Sequence, residues 1–141
     1  STRFLNFNGA SYMGYDVVPS VLEENRLRYG SANVLFKEMP INSPDLAPAD
    51  LLIIKDVLQH LPDVQICAFR DHVIPRYKFC LVTNSWRAVN YPQNGDIDVG
   101  QFRTLDLLLS PYSFPGACVH EMWNQWERIR TLLIINRGTL L

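Results

Sequence analysis

Apolar positions fall in short runs, and their spacing alternates along the chain between that of strands and that of helices. Residues 1–8 read as the end of a helix, with Phe4, Leu5 and Phe7 facing a core and Asn8-Gly9 stopping the run. Residues 11–18 (SYMGYDVV) predict a strand. Pro19-Ser20 then opens a helix to about Tyr29, with Ser20 and Glu23 at capping-box spacing and Val21, Leu22 and Leu27 on its apolar side. Gly30 ends it. Residues 34–39 predict a second strand, followed by a loop rich in Pro, Asn, Ser and Asp through Pro48. Residues 49–54 (ADLLII) are a continuous apolar run, which suits a central parallel strand covered on both faces. Asp63 can cap a helix over 64–74, where Ile66, Phe69, Val73 and Ile74 share a face. Residues 78–83 (KFCLVT) form the next buried strand. Residues 84–100 are polar and turn-rich, and 102–109 predict a short strand or helix before Pro111 and Pro115. Residues 118–124 and 128–135 read as an antiparallel hairpin.

Strands alternating with helices imply a parallel α/β sheet with crossover connections, here closed by an antiparallel hairpin. The 141 residues make one domain, 1–141, long enough to bury roughly 70% of its unfolded surface. Hydrophobic residues at 48% and charged residues at 19% are globular, not disordered, proportions. A net charge of −1 argues against a partner held by bulk charge, whether nucleic acid or an anionic membrane. Cys67, Cys80 and Cys118 are widely spaced in apolar surroundings and read as reduced thiols of a cytoplasmic protein. His60, His72 and His120 lack metal-ligand spacing, so no metal site is expected. The absence of a GxSxG elbow argues against a serine hydrolase. No apolar run approaches the ~20 residues that a bilayer requires, and the N-terminus lacks a signal-peptide layout.

In open α/β sheets, ligands bind beyond the carboxyl ends of the strands. The first strand ends at Tyr15-Asp16, where a carboxylate can accept from both hydroxyls of a ribose or cap the following turn. The third continues as ADLLIIKDVLQHLPD, from Ala49 to Asp63. An apolar run, a polar pair and a VLxHL stretch in this order resemble the strand-four segment of class I S-adenosylmethionine-dependent methyltransferases. The run from Asn94-Gly95-Asp96 through Gln101-Phe102-Arg103 to Ser110-Pro111-Tyr112 resembles a subset of the same family. The resemblance extends from about Phe4 to Ile135 and rests more on the order of its motifs than on any one of them.

The resemblance implies a methyltransferase-like, Rossmann-like α/β fold with a mostly parallel sheet, and S-adenosylmethionine as the cofactor. It places Asp16 on the ribose and Asp56 beside the cofactor's methionine portion, with loop capping as the alternative, and counts Lys55 among the cofactor-binding residues. His60 and Asp56 are the candidate bases; His60 packing the VLxHL turn, and Lys55 as a solvated side chain, are the plainer readings. Asn84 and Arg103 are the candidate substrate contacts, with turn formation and a surface excursion as their alternatives. Trp86, Trp123 and Trp126 suit either a planar ligand or a core or interface.

The family's first strand and glycine-rich turn, expected before the first helix, do not occur among this chain's seven glycines. Pro40 stands where the family often places an acidic residue for adenine, with Glu38 nearby. A sheet lacking its middle strand exposes backbone edges. The chain is therefore expected to re-pair its strands or to form a homo-oligomer, such as a dimer with a swapped element. Two roles stay open, a methyltransferase whose acceptor the sequence does not name and a non-catalytic relative serving as an oligomeric binding module.

Overall fold

The computed structural model describes residues 8–39, 45–91, 93–123, 125–136 and 138. The helix end expected within 1–7 and the Pro40 position lie outside the described residues. Two compact units are present, Ser1–Ala47 and Pro48–Leu141, and each is described by itself.

The first unit is a β-α-β element: β1 (Tyr12–Asp16), α1 (Pro19–Tyr29) and β2 (Val34–Glu38), with β1 and β2 parallel and Tyr12 opposite Val34. Pro19 occupies the first turn of α1, where its missing N–H is not needed and its fixed φ already suits a helix. The expected Ser20–Glu23 capping box is not the start of α1. The N-cap is Val18, and Ser20 already lies inside the helix. Leu22 is buried at 1% exposure, whereas Leu27 stands 80% exposed, so the apolar side is narrower than its spacing predicts. Gly30 closes the helix by donating its N–H to the Arg26 carbonyl at 3.0 Å. A Cβ on Gly30 would lie 2.4 Å from that same oxygen, which explains the glycine.

The second unit is a four-stranded mixed sheet in the order β3-β4-β6-β5. Its strands are β3 (Leu51–Lys55), β4 (Phe79–Ala88), β5 (Ala117–Trp123) and β6 (Glu127–Ile135). The crossover between β3 and β4 contains a single turn, Leu58–His60, the helix α2 (Asp63–His72) and a second turn, Ile74–Arg76. β3 and β4 are parallel, β6 is antiparallel to β4, and β5 returns along β6 as the expected hairpin. Pro62, not Asp63, is the N-cap of α2; Asp63 is its first residue, which frees the carboxylate for another task.

One face of this sheet is interior. Ile54, Cys80, Val82, Leu132 and Ile134 are all buried there, as are Leu58, Ile66, Val73 and Ile74 from the crossover. The other face is open. Leu51, Phe79 and Ile135 lie side by side in register and are 44%, 37% and 50% exposed, and Ile53 is 53% exposed. The expectation that the ADLLII strand is covered on both faces therefore fails within this unit, because the crossover supplies cover to one face only.

β4 continues five residues beyond the predicted end at Thr83, through a bulge between Ser85 and Arg87. Asn84 is consequently inside a strand, and the connection to β5 runs from residue 89 to 116. The expected strand or helix over 102–109 is instead an irregular segment with core residues: Leu105, Leu107, Tyr112 and Phe114 are all buried. Asn94 holds it by a reciprocal pair, its amide oxygen accepting from Asp106 N–H at 2.8 Å and its Nδ2 donating to the Asp106 carbonyl at 3.2 Å.

Candidate functional site

β1 delivers Asp16 to its carboxyl end, where the chain must turn into α1. One carboxylate oxygen accepts the Val18 N–H at 2.9 Å, the local bond that an Asp makes two residues before a helix start. Among the described residues the other oxygen makes no hydrogen bond. The turn-capping role and a free acceptor therefore coexist on one side chain.

At the end of β3, Asp56 takes a left-handed conformation at φ 57°, which Asp tolerates better than most residues. Its N–H still donates to the Thr83 carbonyl at 2.9 Å, so the kink falls just where the parallel ladder ends. Lys55 and Asp56 form an ion pair with side chains 59% and 40% exposed. At that exposure the pair is worth at most about 1 kcal/mol, and either partner can be redirected by a ligand. The next turn buries Gln59, whose Oε1 accepts the Ser85 N–H at 2.8 Å and so ties the turn to β4.

His60 ends that turn with Nδ1 2.9 Å from the Gln101 carbonyl. A carbonyl only accepts, so Nδ1 carries the proton, and in the neutral ring Nε2 is left with its lone pair. The imidazole lies 5.7 Å from the Phe102 ring, and Phe102 meets Tyr91 edge-on at 4.8 Å. His60 thus has the tautomer that a base needs, while its position owes as much to ring packing as the plainer reading holds.

The two candidate substrate contacts are interior groups. Asn84 is 3% exposed and its Nδ2 donates to the Ser85 and Leu105 carbonyls, both at 2.9 Å, pinning the long connection to β4. Arg103 is 0% exposed. Its Nη2 donates to Asp63 at 2.8 Å and to the Tyr112 hydroxyl at 3.0 Å, and Tyr112 donates to the same carboxylate oxygen at 2.6 Å. Arg103 is therefore not presented to solvent for an anionic group; it anchors the connection to the first residue of α2. Its Nε and Nη1 are buried without a hydrogen-bond partner among the described residues. Burial and the bond to Asp63 together hold the Tyr112 phenol well above its ordinary pKa. On the solvent side, Asp96 accepts the N–H groups of Asp63 and Ile97 at 2.8 and 2.9 Å, which lowers its pKa.

Sequence reasoning also missed a group at the far end of β4. An open pocket of about 630 Å³ lies there, with Tyr91, Phe102, Trp126 and Glu127 among its walls. Trp126 is 74% exposed and belongs to no core, whereas Trp86 is flanked by Arg130 and Arg128 at 3.9 and 5.8 Å. Trp123 has Arg128 over its ring at 4.5 Å. Among the described residues no cluster of His, Cys, Asp and Glu is arranged to hold a metal.

No protein-family model matches the chain, and no curated protein matches it in sequence. Solved structures do match. TehB from Haemophilus influenzae superposes with a TM-score of 0.63 at 12% identity, over 92% of this chain and 51% of its own. DhpI in its complex with SAH gives 0.60 at 18% identity, over 90% of this chain and 67% of DhpI. Human N-acetylserotonin methyltransferase in complex with SAM gives 0.52 at 15% identity, over 89% of this chain and 41% of that enzyme. The chain has the fold of S-adenosylmethionine-dependent methyltransferases, and it spans about half the length of TehB, 51%.

Proposed function

We propose that this chain is part of an S-adenosylmethionine-dependent methyltransferase. The observation that carries the reading is the fold match over nine-tenths of the chain, 90%, to DhpI, a structure with SAH bound. The residues at the strand ends suit that cofactor. Within the first unit Asp16 offers a carboxylate oxygen of the kind that ribose hydroxyls take, and within the second unit Asp56 and Lys55 offer opposite charges of the kind that suit a zwitterionic ligand end. When bound, the sulfonium supplies an electrophilic methyl group. The chain's own part is alignment of the acceptor, with His60 Nε2 taking the proton from an acceptor that arrives protonated. Asn84 and Arg103 act indirectly, by fixing the connection that carries Phe102. The test is calorimetric titration with S-adenosylmethionine and S-adenosylhomocysteine. Saturable binding that Asp16→Ala abolishes is expected; no heat at millimolar ligand would overturn the reading.

A second reading, a non-catalytic oligomeric module, draws on the open sheet face. Among the described residues β3 pairs only with β4, and its Leu51 and Ile53 stand 44% and 53% exposed. An edge strand with apolar side chains invites pairing with a second copy, through strand addition or a swapped element. Sedimentation velocity decides: a dimer is expected, and a lone monomer at tens of micromolar, about the range of a weak homodimer, would sink it. Among the described residues no helix is long and apolar enough to cross a membrane. The three cysteines are unpaired, which supports a cytoplasmic setting.

A further inference from the structure

The pocket at the end of β4 is built from three distant stretches of sequence. The exit of β4 gives Asn90 and Tyr91, the long connection gives Phe102, and the β5–β6 turn gives Trp126 and Glu127. Each is placed by the backbone. Asn90 turns the chain at φ 67°, the Val89 N–H donates to the Trp126 carbonyl at 3.3 Å, and Ala88 pairs with Glu127. Phe102 lies between Gln101, whose carbonyl holds His60, and the fully buried Arg103. The walls are thus fixed by elements that fold for other reasons.

Their composition is not explained by folding. Tyr91 is 53% exposed and Trp126 74% exposed, so neither ring gains what burial would give it. Three aromatic residues line one opening, and aromatic faces are electron-rich; among the described residues Glu127 is the only carboxylate in the lining. Among the described residues no lysine or arginine lines the pocket. The lining selects among ligands by charge. An anion would be repelled by Glu127, one oxygen of which accepts from the Ser85 hydroxyl, and a neutral ligand would gain nothing from its charge. A cation meets both the ring faces and the carboxylate. The volume of about 630 Å³ is that of a small-molecule site.

We propose that this pocket binds a small organic ammonium, an aryl- or alkylamine in its protonated form. The site stands on its own geometry; its role as the place of the methyl acceptor rests on the methyl-transfer reading, and there it makes the acceptor an amine. The Phe102 ring touches both Tyr91 of the pocket and His60, so the base and the pocket share a wall.

The test uses the whole chain without a methyl donor. Benzylammonium and its neutral counterpart benzyl alcohol are titrated calorimetrically at neutral pH against the wild type, Trp126→Ala, Tyr91→Ala and Glu127→Gln. The Gln variant keeps an acceptor oxygen toward Ser85, and circular dichroism confirms that each variant is folded. Saturable binding of the ammonium, at least about tenfold tighter than the alcohol, is expected. Weakening by about tenfold in Trp126→Ala and in Glu127→Gln is expected as well. Equal affinity for the two ligands, or ammonium binding unchanged in Trp126→Ala and Tyr91→Ala, would overturn the proposal. Nα-acetyl-lysine methylamide serves as a third ligand, and tighter binding of it than of benzylammonium would overturn the small-molecule assignment. The titration with S-adenosylmethionine is separate. Ammonium binding without it leaves this site standing and removes the methyl-transfer reading, while the converse removes the site alone.

Discussion

Removing the Asp63 carboxylate tests the claim that Arg103 is an anchor. In the folded chain the Arg103 guanidinium is 0% exposed, and the carboxylate it faces at 2.8 Å belongs to a side chain 26% exposed. Two of its nitrogens, Nε and Nη1, already lack a partner among the described residues. Asp63→Ala therefore strands a buried cation with the Tyr112 hydroxyl as its one remaining contact of the two. Breaking a buried pair from one side costs about 3–5 kcal/mol, and the partial exposure of Asp63 puts the expectation near about 3. Asp63→Asn keeps the acceptor oxygen and loses only the charge, so a smaller loss of about 1–2 kcal/mol is expected. Arg103→Met combined with Asp63→Ala removes the stranded charge, and the double variant is expected to be more stable than Asp63→Ala alone. Urea unfolding followed by circular dichroism gives these three values and that of Arg103→Met alone. A loss below about 1 kcal/mol in Asp63→Ala, or a double variant worse than the sum of its singles, would refute the anchor.

Three further outcomes follow from the same structure. Two backbone N–H groups hold the Asp96 carboxyl below its ordinary pKa, so its contribution is complete above the ordinary carboxylate range and is lost as pH falls through the lower folded value. Acid-induced loosening of the α2 start, read by hydrogen exchange of the Asp63 amide, is expected to disappear in Asp96→Asn. Gly30→Ala forces a Cβ to 2.4 Å from the Arg26 carbonyl and is expected to destabilise α1 by more than about 1 kcal/mol, seen as a lower midpoint in a thermal scan. Burial pushes the Cys80 thiol up to about 11, so it is expected to resist a thiol reagent at neutral pH until the chain unfolds, whereas the exposed Cys118 reacts at once.

The strands, helices and terminal hairpin were legible because their signals are local. A run such as LLII over 51–54, or Pro19 with Gly30 around a helix, carries its message within a turn or two. What failed was everything that depends on partners distant in sequence. Asn84 read as a strand end because its polarity looks like a stop, yet Nδ2 finds the Leu105 carbonyl 21 residues on, and the strand runs through it. Asp63 read as a helix cap because caps are short-range, while its oxygen belongs to Arg103, 40 residues away, and Tyr112, 49 away. No periodicity announces such a pair. The same limit hid the aromatic pocket, since Tyr91, Phe102 and Trp126 share no spacing and meet only through the turns around them. The positions of Asp16 and Asp56 at the ends of β1 and β3, and of His60 in the turn after β3, were legible because they follow from the strands themselves. Positions at strand ends can thus be read from the strand pattern, whereas groups that sit on connections become visible only once those connections are folded.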